Sequence, residues 1–78
     1  MREVTLYTRP GCHLCDEARE AIAAIRPGLP EFALTEVDID SEDALLRAYL
    51  ERIPVVEVDG RLVSELEFDA PNFSRAIA

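Results

Sequence analysis

Two cysteines, Cys12 and Cys15, stand three positions apart in the run Cys12-His13-Leu14-Cys15, and the 78-residue chain has no others. A pair this close makes a poor stabilising crosslink, because the loop it closes restrains little of the unfolded chain. The spacing instead suits chemistry at sulfur, in which one thiolate attacks a disulfide and the second resolves the mixed disulfide so formed. A rival use of the same residues is half of a tetrahedral zinc or iron–sulfur site, with His13 as an extra ligand. There is no second C-x-x-C and no other histidine, so four ligands would require a second subunit or a small thiol. A third possibility is two ordinary small apolar side chains.

What the pair can do depends on the elements that hold it. Residues 3–8 read as a strand, Val4 and Leu6 on one face and Thr5 and Tyr7 on the other. Pro10-Gly11 ends it, and a helix follows from about Cys12 or His13 to Arg26, with Leu14, Ala18, Ala21, Ile22 and Ile25 as its apolar stripe. A second strand is expected over Phe32–Ile39. A second helix opens at Asp40 or Ser41, with Leu45, Leu46, Tyr49 and Leu50 facing inward, and Pro54 prevents its continuation. Val55–Val58 and Arg61–Val63 flank Asp59-Gly60, the signature of a two-residue hairpin. Asp69 then caps a short last helix with Pro71 in its first turn and Phe73 and Ile77 inward. The order is β-α-β-α-β-β-α in one α/β domain, residues 1–78: a four-stranded mixed sheet flanked by helices, opening with a right-handed parallel β-α-β unit.

A C-x-x-C that follows a strand and opens a helix in a β-α-β context is a thioredoxin-like redox pattern. Cys12 falls at the helix N-terminus, where free N–H groups and the helix dipole favour a thiolate. Arg9 and His13 add positive charge nearby, and Asp16 and Glu17 oppose them. Cys15 lies at the edge of the apolar stripe and is expected to be the more buried. Cys12 is therefore the nucleophile and Cys15 the resolving thiol. Ile53-Pro54 is the other candidate. A proline between a helix and a buried strand is either a plain helix stop or a cis peptide that leaves backbone groups free to pair with an extended substrate.

Sixteen acids against eight bases give a formal charge of −8, and all eight bases are arginine. Such a field disfavours phosphate backbones and anionic lipid, so neither nucleic acid nor a membrane is expected as partner, and it favours basic faces. No segment reads as a signal peptide or a membrane span. The expected location is therefore cytoplasmic, where a vicinal thiol pair is catalytic or metal-binding rather than structural.

The runs Tyr7-Thr8-Arg9-Pro10-Gly11-Cys12-His13-Leu14-Cys15, Val37-Asp38-Ile39-Asp40, Ile53-Pro54-Val55-Val56 and Asp59-Gly60 resemble the glutaredoxins, above all short bacterial glutaredoxin-like proteins. The resemblance covers nearly the whole chain and implies the thioredoxin/glutaredoxin fold. It makes Pro54 the cis-proline facing the dithiol, and it places Arg9 where glutaredoxins contact a glutathione carboxylate. The chain departs from that pattern in three places. It has Arg52-Ile53-Pro54 for the usual Thr-Val-Pro, and Gly11 where thioredoxins carry a Trp. It also has Val63-Ser64-Glu65-Leu66-Glu67 where glutaredoxins carry Gly-Gly and then an Asp for the γ-glutamyl end of glutathione.

The expected function is thiol–disulfide oxidoreduction with Cys12 and Cys15 catalytic, Arg9, Ile53 and Pro54 binding substrate, and weak glutathione specificity. No metal or resident cofactor is expected. The substrate would be a disulfide-containing protein or small thiol, the electron donor a reductase or glutathione, and the protein a monomer. The alternative is a non-enzymatic zinc or iron–sulfur module, or an adaptor, on the same fold.

Overall fold

The computed structural model describes residues 1–78. Its strands are β1 (Arg2–Thr8), β2 (Phe32–Asp38), β3 (Val55–Val58) and β4 (Arg61–Glu65). Its helices are α1 (His13–Ile25), α2 (Asp43–Tyr49) and α3 (Ala70–Ile77). The sheet order is β2-β1-β3-β4. β1 runs parallel to β2 and antiparallel to β3, and β3 and β4 form the hairpin. Asp59 and Gly60 take φ of 51° and 81°, so both central residues of the turn are left-handed, as the tight hairpin between Val58 and Arg61 demands. Asp59 also ties the hairpin to β1: its carboxylate accepts from the Glu3 N–H (2.9 Å) and pairs with Arg2 (2.9 Å).

The alternation of β1 divides the molecule. Val4 and Leu6, with Val56 and Val58 beside them, face Ala18 and Ile22 of α1 and Phe73 and Ile77 of α3 in one buried cluster. Tyr7 points to the opposite face and stacks on Tyr49 of α2, ring centroids 4.4 Å apart. Phe73 anchors the larger layer. It is fully buried and meets Phe32 edge-on at 5.6 Å and Phe68 at 5.3 Å, geometries that the ring quadrupoles favour. On edge strand β2 the helix-facing Glu36 is not apolar but paired with Arg19 of α1 at 2.8 Å.

Two local expectations give way. Ile39–Ser41 is a separate 3-10 turn capped by Asp38, whose carboxylate accepts from the Asp40 N–H (2.8 Å), and α2 begins only at Asp43 with no side-chain cap. Asp40 is engaged elsewhere, by Arg9. The inner stripes are also narrower than spacing suggested. Leu14 and Leu50 are 44% and 45% exposed, and the buried stripe of α1 is Cys15, Ala18 and Ile22. A helix 13 residues long has one face against the sheet, and Leu14 lies to its side.

Candidate functional site

Three loops meet at one end of the sheet. β1 ends at Thr8 and passes through Arg9-Pro10-Gly11-Cys12, a turn closed by donation from the Cys12 N–H to the Arg9 carbonyl (3.1 Å). Gly11 has φ of +79°, the third-position conformation of a type II turn that follows a proline. The turn delivers Cys12 to the N-cap of α1 with an extended backbone. The second loop is Leu50–Pro54. Because Tyr7 pairs with Val55, residue 54 lies beside residue 8 on the neighbouring strand. The third is Leu66–Asp69, held to the second by donation from the Leu66 N–H to the Arg52 carbonyl (3.0 Å).

The two cysteines are joined in a disulfide with their Cα atoms 5.2 Å apart, so the structure is that of the oxidised chain. They are not equivalent. Cys15 is 1% exposed while Cys12 remains half-buried. The Cys12 Sγ accepts from the Cys15 backbone N–H at 3.2 Å, at the N-terminus of α1. A sulfur there is stabilised as an anion by the free N–H groups and the helix dipole. The arrangement suits an accessible attacking sulfur and a sheltered partner that can reach it. His13 is exposed, and no group of three His, Cys, Asp or Glu side chains is assembled that could hold a metal ion.

The remaining candidates are more constrained than their sequence neighbourhood suggested. The Arg9 guanidinium is not free: its Nε lies 2.9 Å from Oδ1 and 3.2 Å from Oδ2 of Asp40. The Ile53–Pro54 peptide is cis and Pro54 is buried. The backbone beside it is only half available. The Ile53 N–H donates to the Tyr49 carbonyl (3.0 Å), whereas the Ile53 carbonyl takes part in no backbone hydrogen bond.

The segment that departs from the glycine pair is a built feature. Ser64 is 6% exposed, and its hydroxyl donates to the Glu67 carbonyl (3.1 Å) and accepts from the Asp69 N–H (2.9 Å). Asn72 of α3 donates to the Val63 carbonyl at 2.6 Å. Glu65 is not a free anion; it pairs with Arg52 at 2.7 Å. Donation to Glu65 is the first cause holding the Arg52 pKa above its ordinary value. Glu67, by contrast, forms no ion pair. The residues between which these bonds form are three to thirteen positions apart, and no sequence periodicity marks them.

A four-stranded mixed sheet with a C-x-x-C at the N-terminus of its first helix and a cis-proline before the neighbouring strand is a thioredoxin fold. Residues 3–78 match the family described as Glutaredoxin-like domain (DUF836), and the chain belongs to it. It is 32% identical over 73 residues to a glutaredoxin-like protein of Dictyostelium discoideum, covering 85% of this chain and 66% of that protein, just under two thirds of its length. An X-ray structure of a protein from X. campestris is 42% identical, with a TM-score of 0.72 over 92% of this chain and 91% of the other. A thioredoxin variant from Halobacterium salinarum shares the fold, at 20% identity and a TM-score of 0.66 over 97% of this chain and 71% of its own. No helix is long and apolar enough to cross a membrane.

Proposed function

We propose that this glutaredoxin-like protein is a dithiol–disulfide oxidoreductase in which Cys12 attacks and Cys15 resolves. In the reduced chain the Cys12 thiolate attacks one sulfur of a substrate disulfide. A Cys12–substrate disulfide forms and one substrate thiolate leaves. The Cys15 thiolate then attacks Sγ of Cys12, closing the Cys12–Cys15 disulfide and releasing the second substrate thiol. Two electrons pass to the substrate, and two thiols of an external donor, a reductase or glutathione, restore the dithiol. The observation that carries this is the unequal burial of two bonded sulfurs at a helix N-terminus. Ile53 and Pro54 present the open Ile53 carbonyl to an extended substrate, and Arg9, shared with Asp40, meets an anionic group near the turn.

Glutathione is a poor fit to the same surface. Ser64 and Glu65 occupy the positions of the two glycines of the glutaredoxins, the longer Glu67 stands where they carry an Asp, and the Ile53 N–H is already committed to Tyr49. One lost charge-assisted hydrogen bond costs about 1.5–3 kcal/mol, roughly ten- to a hundredfold in affinity. The physiological substrate is then a protein disulfide or another small thiol. Catalysed reduction of a protein disulfide, run beside a glutathione-coupled assay, tests both statements. Turnover of the protein disulfide that is lost in Cys12→Ser, with glutathione-coupled turnover at least tenfold below that of a dithiol glutaredoxin, is the expected result. No turnover of any disulfide would remove the oxidoreductase reading. Ordinary glutaredoxin rates with glutathione would remove the specificity reading alone.

A further inference from the structure

The N-terminal half of α1 and the loop after β4 are separated by a groove of about 420 Å³ whose walls include Leu14, Ala21, Leu66 and Phe68, with Glu17 and Glu67 on it. Leu14, which stands between the two cysteines in sequence, is part of its lining, although neither cysteine is. Leu14 and Leu66 are 44% and 49% exposed, two of the five large apolar side chains the chain leaves to solvent. Leu66 holds φ of +64°, a left-handed backbone that a leucine adopts at a steric cost. The surrounding bonds impose it: the Leu66 N–H is tied to Arg52, and Ser64 clamps the loop from Glu67 to Asp69. An exposed leucine kept in an unfavourable conformation, on a groove that also holds the residue between the two cysteines, marks a place to look for function.

The charges on the groove are both negative. Arg2, Arg9, Arg19 and Arg52 each neutralise an acid elsewhere on the surface. Glu17 and Glu67 have no such partner, a state they share with nine of the other fourteen acids, and what sets them apart is their place on an apolar groove in a chain of net charge −8. Apolar walls with two unpaired carboxylates complement an apolar side chain next to cationic ones, and they repel an anionic tripeptide.

We infer that this groove docks the protein substrate, and that the segment it selects carries a leucine-like residue and Lys or Arg beside the disulfide cysteine. The inference rests on the dithiol chemistry proposed for Cys12 and Cys15, and names its substrate class. Glu17 and Glu67 act as specificity residues through charge, and Leu14 and Leu66 through contact.

The test uses peptides of one length whose central cysteine is disulfide-linked to a neutral small thiol. The flanks are Leu and Arg in the first, Leu and Glu in the second, and Ser and Arg in the third. Rates with the reduced wild-type protein are divided by its rate with a neutral small disulfide. The Leu-Arg peptide is expected to react about fivefold or more faster than either other peptide at low salt. The margin over Leu-Glu should shrink towards unity in about 1 M salt, where screening reaches ~3 Å. That same margin should collapse in the Glu17→Gln/Glu67→Gln double variant, and the margin over Ser-Arg in Leu66→Asn, Asn being tolerant of a left-handed backbone. In parallel, the Leu-Arg peptide with Ser for its cysteine is titrated into the oxidised protein. Amide shifts confined to the residues around Leu14 and Leu66 are expected. Equal rates for the three peptides, with the small disulfide reduced normally, would overturn the groove and leave the dithiol chemistry standing. Binding of the Ser peptide at these residues by a protein inert to every disulfide would support the groove and overturn the chemistry. Inertness with no shift at the groove would overturn both.

Discussion

Ser64→Ala removes one oxygen from the loop that follows the hairpin, and its expected cost follows from what that oxygen touches. The hydroxyl is buried and satisfies two backbone groups, the Glu67 carbonyl at 3.1 Å and the Asp69 N–H at 2.9 Å. Each bond contributes about 1 kcal/mol net, so the loss is about 2 kcal/mol, and more where water cannot reach the two groups left behind. A domain of 78 residues has roughly 4–12 kcal/mol in total, so one hydroxyl accounts for a sizeable share. The melting temperature should fall by about 8–16 °C. Urea titration followed by circular dichroism gives the free energy directly, with an unchanged m-value showing that the same cooperative unit unfolds. Ser41→Ala, at an exposed position, serves as the control and should stay within about 0.5 kcal/mol. A Ser64→Ala loss no larger than the control's would refute the claim that this hydroxyl holds the loop. It would also withdraw the reason why Leu66 is kept in its left-handed conformation.

Other expectations are more direct. Phe73→Ala empties a fully buried ring site between Phe32 and Phe68 and should cost about 3–5 kcal/mol; a two-state urea midpoint close to wild type would contradict the packing described. The Glu3 N–H, and then Arg2, hold the Asp59 pKa below its ordinary value. Its folded pKa is therefore lower than its unfolded one, so its stabilisation is present above the ordinary carboxylate range and is lost as pH falls through the folded value. Thermal melts from about pH 5 down to pH 2 should show a shallower loss in Asp59→Asn than in wild type, and parallel curves would contradict the linkage. Metal analysis of the purified protein should find no stoichiometric zinc or iron, since no cluster of three donors is assembled. About half an equivalent per chain, bridging two copies through Cys12 and Cys15, would favour the metal-binding alternative.

The sequence was legible where one residue's local chemistry decides the outcome. Asp59-Gly60 had to turn left-handed, Asp69 caps α3 by accepting from the Asn72 N–H at 3.0 Å, and a C-x-x-C after a strand falls at a helix start. Periodicity was less reliable at element ends. Leu14 and Leu50 have helical spacing, yet a short helix on a twisted sheet buries a narrow stripe and leaves its flanks to solvent. Least legible were the contacts set by strand register. Nothing near Arg9 in sequence announces Asp40, 31 positions away, and nothing near Glu65 announces Arg52. Those two pairs change how the site is read: a free cation near the turn becomes a shared one, and an added anion becomes neutral. The capture of the Ile53 N–H by Tyr49 is of the same kind, because it depends on how the chain leaves α2 before turning into β3.

The unequal roles of the two sulfurs can be read in one experiment. The reduced protein is exposed to iodoacetamide at neutral pH for a series of short times, quenched with acid, and resolved by peptide mass spectrometry into separate rates for Cys12 and Cys15. A partly buried cysteine at the N-terminus of α1 and a partner 1% exposed should differ by at least about tenfold, Cys12 the faster, because the thiolate is the reacting form and access limits the other. Equal rates, or a faster Cys15, would contradict the assignment of nucleophile and resolving thiol on which the proposed chemistry stands.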